Sequence, residues 1–250
     1  MHFGLSRPFR AGLHQCAMPE VGSFFDANAG SYGVRDAGLR AFHVEIARRL
    51  EAALHGSVLC IGGPWAQHRV PAGVRLTIVD LSRGMLDKYR RDGATVALAD
   101  ARALPFGDES FDHVVMPLVL HHVAGRNADE AQAGARAVIA EAARVLRRGG
   151  RLWISELCVG RAIYRAERAL APATRGLLDL AGVPLVIMHS ARFYRNALRE
   201  AGLFDAHAEA VEVAGASSLD LITPMIGVPW LKVPRFLYPV TPTLLTARHS

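Results

Sequence analysis

The chain has 250 residues, 51% apolar and 21% charged, a balance too apolar for disorder and long enough to bury one sizeable core. Basic residues outnumber acidic ones by 29 to 23, giving a formal charge of +6. The arginines are scattered singly or in pairs among Ala, Leu and Glu, which argues for a solvated surface and against nucleic acid as a partner. Cys16, Cys60 and Cys158 form no CxxC pair and no even disulfide set, so no metal is expected and the setting is expected to be reducing and cytoplasmic. No apolar run reaches the ~18 residues of a membrane span, so a soluble protein is expected.

Residues 1–23 carry Arg7 and Arg10 among Gly4, Pro8 and Gly12 and read as a flexible leader to a single domain over 24–250. Leu39, Phe42, Ile46, Leu50 and Leu54 recur every three or four positions, predicting an amphipathic helix over 36–54 behind Asp36. A short apolar run, Val58–Ile61, ends in Gly62-Gly63-Pro64 and predicts a strand and a turn. Leu76–Val79 then ends at Asp80 before a Ser82-capped helix, Thr95–Ala99 ends at Asp100, and Phe111–Leu120 is a further buried strand. A helix over 127–147 stops before Gly149-Gly150 and feeds strand Leu152–Leu157. This alternation predicts an α/β fold, a doubly wound and mostly parallel seven-stranded sheet of Rossmann-like kind with an antiparallel last strand. Residues 159–189 interrupt the alternation as an apolar, mostly helical insertion. A Ser190-capped helix ending at Gly202 follows, then strand Ala206–Val213, a proline-rich apolar segment over 216–243, and strand Leu244–Ala247.

In an open parallel sheet a ligand sits beyond the carboxyl ends of the strands. The Gly62-Gly63 turn, Asp80, Asp100 and His121-His122 all fall there in this reading. Gly62 lets a ligand approach the backbone, and Asp80, eighteen residues on, stands at the separation at which a carboxylate accepts from ribose hydroxyls. Each also has a plainer explanation, as an ordinary turn and as a helix cap.

These strings resemble the class I S-adenosylmethionine-dependent methyltransferases, in the small-molecule branch that includes quinone- and biotin-pathway enzymes. The resemblance covers about residues 24–158 and returns at 190–213. Phe24–Tyr32 is similar to the branch's Asp-x-x-Ala-x-x-Tyr segment and Val79–Leu86 to its second motif. Asp100–Phe106, Phe111-Asp112 and Leu120–Val123 resemble the stretch around strands 3 and 4, and Arg144–Leu152 the motif before strand 5. The resemblance implies S-adenosyl-L-methionine as cofactor, with Asp80 on its ribose, Leu81 beside the adenine, Asp100 and Ala101 at the adenine edge, and Pro117 and Leu118 near its methionine. The implied activity is methyl transfer to a small, hydrophobic or aromatic metabolite.

The first motif departs from the family's acid-x-Gly-x-Gly-x-Gly, reading Cys60-Ile61-Gly62-Gly63-Pro64-Trp65-Ala66. Cys60 cannot supply the carboxylate near the methionine ammonium. Either Gly62 and Gly63 form a shortened turn with Trp65 shielding the sulfonium by cation–π contact, or Trp65 fills the pocket and the fold serves as a partner subunit, a binding module or the site of another cofactor-assisted reaction. His121 and His122 are the candidate catalytic bases, since imidazole titrates near neutrality, with packing as the plainer role for each. The 159–189 insertion is expected to roof a hydrophobic acceptor. The 216–243 segment has three candidate uses, covering the crevice, pairing two copies as a homodimer and, last because its prolines oppose a regular helix, touching a membrane.

Overall fold

A computed structural model describes residues 18–30, 37–63, 70–90, 93–123, 125, 127–180, 186–213 and 239–250. Helices α1 (Met18–Asn28) and α2 (Ala37–Glu51) precede strand β1 (Ser57–Ile61). There follow β2 (Arg75–Asp80), α3 (Arg83–Tyr89), β3 (Thr95–Leu98), β4 (Phe111–Pro117), a short 3-10 turn at Leu120–His122, and α4 (Ala128–Val145). The chain continues through β5 (Leu146–Val159), α5 (Arg161–Leu180), α6 (Ala191–Glu200), β6 (Leu203–Ala210) and β7 (Val240–His249). The sheet has seven strands in the order β3-β2-β1-β4-β5-β7-β6. Strands β1 to β5 pair in parallel, and β7 runs antiparallel to both β5 and β6. This is the expected doubly wound, Rossmann-like architecture.

Every residue of β1 is buried, because helices cover both faces of the parallel region and a continuous apolar run satisfies both. On one face Phe42, Ile46 and Leu50 of α2 pack with Met85, Leu86 and Tyr89 of α3. On the other, Val138, Ile139 and Ala142 of α4 pack with Tyr194, Ala197 and Leu198 of α6. Each fully buried side chain of this size contributes about 1.5–3 kcal/mol. Ser82 caps α3 by accepting from the Met85 amide, Asn127 caps α4 by accepting from Asp129 and Glu130, and Ser190 caps α6 by accepting from Phe193.

Several boundaries differ from expectation. Helix α1 begins at Met18 and Val21 is buried, so residue 23 lies within an ordered helix. Strand β4 stops at Pro117 rather than Leu120, because Leu118 turns to a positive φ of 54°. Helix α4 ends at Val145, ahead of Gly149 (φ 75°), and residues 146–150 open β5, with an irregular register against β4. Strand β6 spans Leu203–Ala210 instead of 206–213. Strand β7 begins at Val240, so residues 240–243 of the proline-rich segment are sheet. Pro242 is tolerated there because its carbonyl, which accepts from Val211, faces β6, and its missing N–H falls on that same side where β6 has already ended. Residues 214–238, Asp36 and the Pro64-Trp65-Ala66 stretch lie outside the described residues. No described helix is long and apolar enough to cross a membrane, and no group of His, Cys, Asp or Glu among the described residues could hold a metal ion.

Candidate active site

A crevice opens beyond the carboxyl ends of β1 to β4, with Gly62, Asp80, Asp100 and Leu118 on its floor and Val21 and Phe25 of α1 over it. Gly62 has a φ of 81° and donates its amide to the Val79 carbonyl at 2.8 Å. A Cβ at this position would run into the Val119 side chain, so only glycine makes the turn. Gly63 also has a positive φ, but the space where its Cβ would stand is taken by the Tyr89 ring, and Gly63 is not among the crevice-lining residues.

Asp80 ends β2 and is fastened on both sides. Its carbonyl accepts from Ala99, and its Oδ1 accepts from the Ser82 amide at 2.8 Å. Burial pushes its carboxyl up to about 6, and nearby Asp26 adds to the rise, while the Ser82 and Leu81 amides oppose it. Asp26 in turn accepts from the Ser82 hydroxyl at 2.6 Å and the Gly84 amide at 2.9 Å. The Ser82 and Gly84 bonds hold the Asp26 carboxyl below the usual carboxylate range. One residue, Ser82, therefore caps α3, fixes Asp80 and ties down α1.

Leu81 and Ala101 give the crevice apolar walls, with Asp100 between β3 and Ala101. Both Asp100 carboxylate oxygens accept from the Arg102 guanidinium, at 2.7 to 3.1 Å, and Oδ1 also takes the Arg102 amide. Asp100 thus presents a carboxylate already paired with a guanidinium, unlike Asp80. Cys60 is fully buried in β1 and brings no charge to the crevice.

At the end of β4 the structure separates the two adjacent histidines. His122 lines the crevice and meets the Phe25 ring edge-on at 4.9 Å. Its Nδ1 has no hydrogen-bond partner among the described residues, and burial, with His121 beside it, holds its pKa well below the usual imidazole value. His121 points away and is buried, its Nδ1 donating to Glu156 Oε2 at 2.6 Å. Pro117 is buried in the sheet and is not a lining residue; the next two, Leu118 and Val119, are. Of the expected site residues, then, Gly62, Asp80, Leu81, Asp100, Ala101 and His122 come together. Gly63, Pro117 and His121 stand behind them, and Trp65 lies outside the described residues.

None of the described residues of 159–189 lines the crevice, and Leu170 is 58% exposed; among the described residues the cover comes from α1. The Cys158 thiol is buried and pushed up to about 12 by that burial, which makes it no nucleophile. Phe25 is the crevice residue least visible as a site member in the sequence, and Glu156, which the sequence offers equally as a substrate contact or as a surface or capping acid, does not line the crevice. The signal for Phe25 is its place one residue before Asp26 in the 24–32 segment.

A family profile described as "Methyltransferase domain" matches residues 58–154, from β1 into β5. Over that stretch the chain is similar to the methyltransferase domain family. The demethylmenaquinone methyltransferase of Mycobacterium sp. (strain JLS) is 34% identical over 149 residues, 55% of this chain and 59% of that protein. That of Renibacterium salmoninarum is 33% identical over 147 residues, 55% and 58% of the two chains. The chain thus spans under two thirds of the length of these curated relatives. Among solved structures, the N-methyltransferase NodS of Bradyrhizobium japonicum superposes with a TM-score of 0.59 at 15% identity, over 92% of this chain and 98% of that one. The geranyl diphosphate C-methyltransferase of Streptomyces coelicolor gives 0.57 at 14% identity, over 90% and 88%. Both of those structures contain S-adenosylhomocysteine. The region matched by the profile contains Asp80, Asp100 and both histidines, while α1, with Phe25, lies before it.

Proposed function

We propose that the crevice holds S-adenosylmethionine and that the protein transfers its methyl group to a small apolar or aromatic acceptor. The observation that carries this reading is Asp80, a carboxylate largely withdrawn from water on the floor of a mostly apolar crevice. Such a group gains from a ligand that brings hydroxyl donors, as a ribose diol does. The other residues fit the same ligand. Gly62 leaves backbone bare where a bulky group must come close, Leu81 and Ala101 supply flat apolar walls for a purine, and Asp100, held by Arg102, stands at its edge. Cys60 offers no acid to the ammonium of the methionine part, so backbone around Gly62 and Leu118 would have to hold that end of the ligand.

The cofactor supplies an electrophilic methyl group on sulfur, and displacement needs an electron-rich acceptor held in line with it. Phe25, Val21 and Val123 exclude water and suit an aromatic ring. His122, neutral because burial lowers its pKa, is placed to take the proton that the acceptor loses when its bond to the methyl carbon forms. Because the relatives named above are demethylmenaquinone methyltransferases, a quinone ring in its two-electron-reduced, electron-rich form is the first acceptor to try.

The test is incubation with methyl-labelled S-adenosylmethionine and a panel of reduced naphthoquinones, benzoquinones and simple phenols. Label moving to a carbon or oxygen of one of them supports the reading. Tight binding of the cofactor with no transfer to any acceptor would instead favour a binding module built on the methyltransferase fold.

A further inference from the structure

Glu156 is fully buried within β5, yet it is an acid. Its Oε1 accepts from the Leu120 amide at 2.7 Å and its Oε2 from His121 Nδ1 at 2.6 Å. Both partners belong to the 3-10 turn that carries His122. The turn departs from β4 through Leu118, whose φ of 54° is strained for a side chain of this size and whose amide donates to the Ser155 carbonyl. Neighbouring residues of β5 thus hold this turn at two places. The His121 ring then lies 4.0 Å from the His122 ring, which meets Phe25 on its other contact.

Hydrogen bonding to the turn amide alone does not require an acid. A glutamine could accept from Leu120, and burying a carboxylate costs several kcal/mol unless its partners repay it. What only the acid provides is two acceptors. A carboxylate that takes Nδ1–H fixes the His121 tautomer and the plane of its ring, and the adjacent ring is set by packing against it.

We propose that Glu156 is a positioning residue that sets the His122 ring in the crevice through His121. The inference rests on reading the crevice as the methyl-transfer site. The same order of residues explains why the site keeps two adjacent histidines: His121 takes the carboxylate and His122 faces the acceptor.

The experiment compares the wild type with Glu156→Gln, His122→Ala and their double variant, using S-adenosylhomocysteine as binding probe, a reduced naphthoquinone as acceptor, and imidazole nitrogen NMR. Glu156→Gln is expected to melt cooperatively and bind S-adenosylhomocysteine within about twofold of wild type, since Glu156 does not line the crevice. Its amide can donate to Nδ1, so the His121 tautomer switches and the His122 ring signals move. kcat falls on the order of ten- to hundredfold at nearly constant KM, and in the His122→Ala background the Gln change costs nothing more. Unmoved His122 signals, or a Glu156→Gln loss that multiplies in full onto that of His122→Ala, would overturn the proposal. If Glu156→Gln fails to fold, His121→Asn takes its place with the same readouts. Absence of methyl transfer by the wild type would count against the proposed function alone, and the ring signals would still decide the role of Glu156.

Discussion

Asp80 serves two ends that oppose each other. Its carboxyl is raised to about 6 in the folded protein, chiefly by burial, against an ordinary value near 3.8 in the unfolded chain. Between those values the native state holds more protons than the unfolded one, so stability falls as pH rises through this window, and above about 6 the full cost of the buried charge is present. Two units correspond to roughly 2–3 kcal/mol as an upper figure. Asp80→Asn is therefore expected to raise the urea midpoint at pH 7.5 and to lose that advantage at pH 4; an equal gain at both values would contradict the assignment. The same charge is what the proposed ribose contact needs. Asp80→Ala should weaken S-adenosylmethionine by about 1.5–3 kcal/mol per lost charged hydrogen bond, and wild-type affinity should decline as pH falls through about 6. Asp80 was legible in the sequence because strand end, helix cap and spacing from Gly62 coincide there. The roles of His121 and His122 were not, since a 3-10 turn rather than a strand carries them, and Glu156, which separates them, lies 36 positions away from Leu120.

At the scale of elements, α1 and α3 act together through Ser82. The hydroxyl accepts from Met85 and donates to Asp26, so one side chain joins a helix cap to the anchor of the helix that covers the crevice. Ser82→Ala is expected to cost about 0.5–2 kcal/mol as a lost cap. Beyond that cost, α1 should loosen, seen as faster amide exchange over residues 18–28 than in the rest of the molecule. Uniform exchange across α1 and α3 in the variant would show that α1 is held by its apolar contacts alone. The chain pattern foretold the Ser82 cap and missed this link, because the 24–32 segment carries a motif but no helical periodicity strong enough to mark where α1 starts. Strand β7 was cut short in the sequence reading for a comparable reason. Pro242 reads as a strand breaker, and only the end of the neighbouring strand β6 makes its missing N–H harmless.

Over the whole molecule, strand order brings the ends of β1, β2, β3 and β4 to one side, and residues from Gly62 to His122 meet there. The alternation of apolar runs with capped helices made that order readable, since the first three runs lead directly into Gly62, Asp80 and Asp100, which line the crevice. The charge of +6 plays little part. Many arginines sit in solvent-facing pairs such as Arg48 with Glu45 and Arg168 with Asp129, where water and salt screen the attraction. Among the described residues the apolar excess of the composition resolves into two large cores, one on each face of the sheet, a small third cluster at Ala128, Ala131 and Ile187, and an aromatic cover over one end. What remains decisive is whether a crevice with Gly62, Asp80 and a cysteine at position 60 accepts a charged cofactor. Calorimetric titration of the folded protein with S-adenosylhomocysteine tests this most directly. The account predicts saturable one-to-one binding that weakens in Asp80→Ala, and no heat of binding up to millimolar ligand would contradict it.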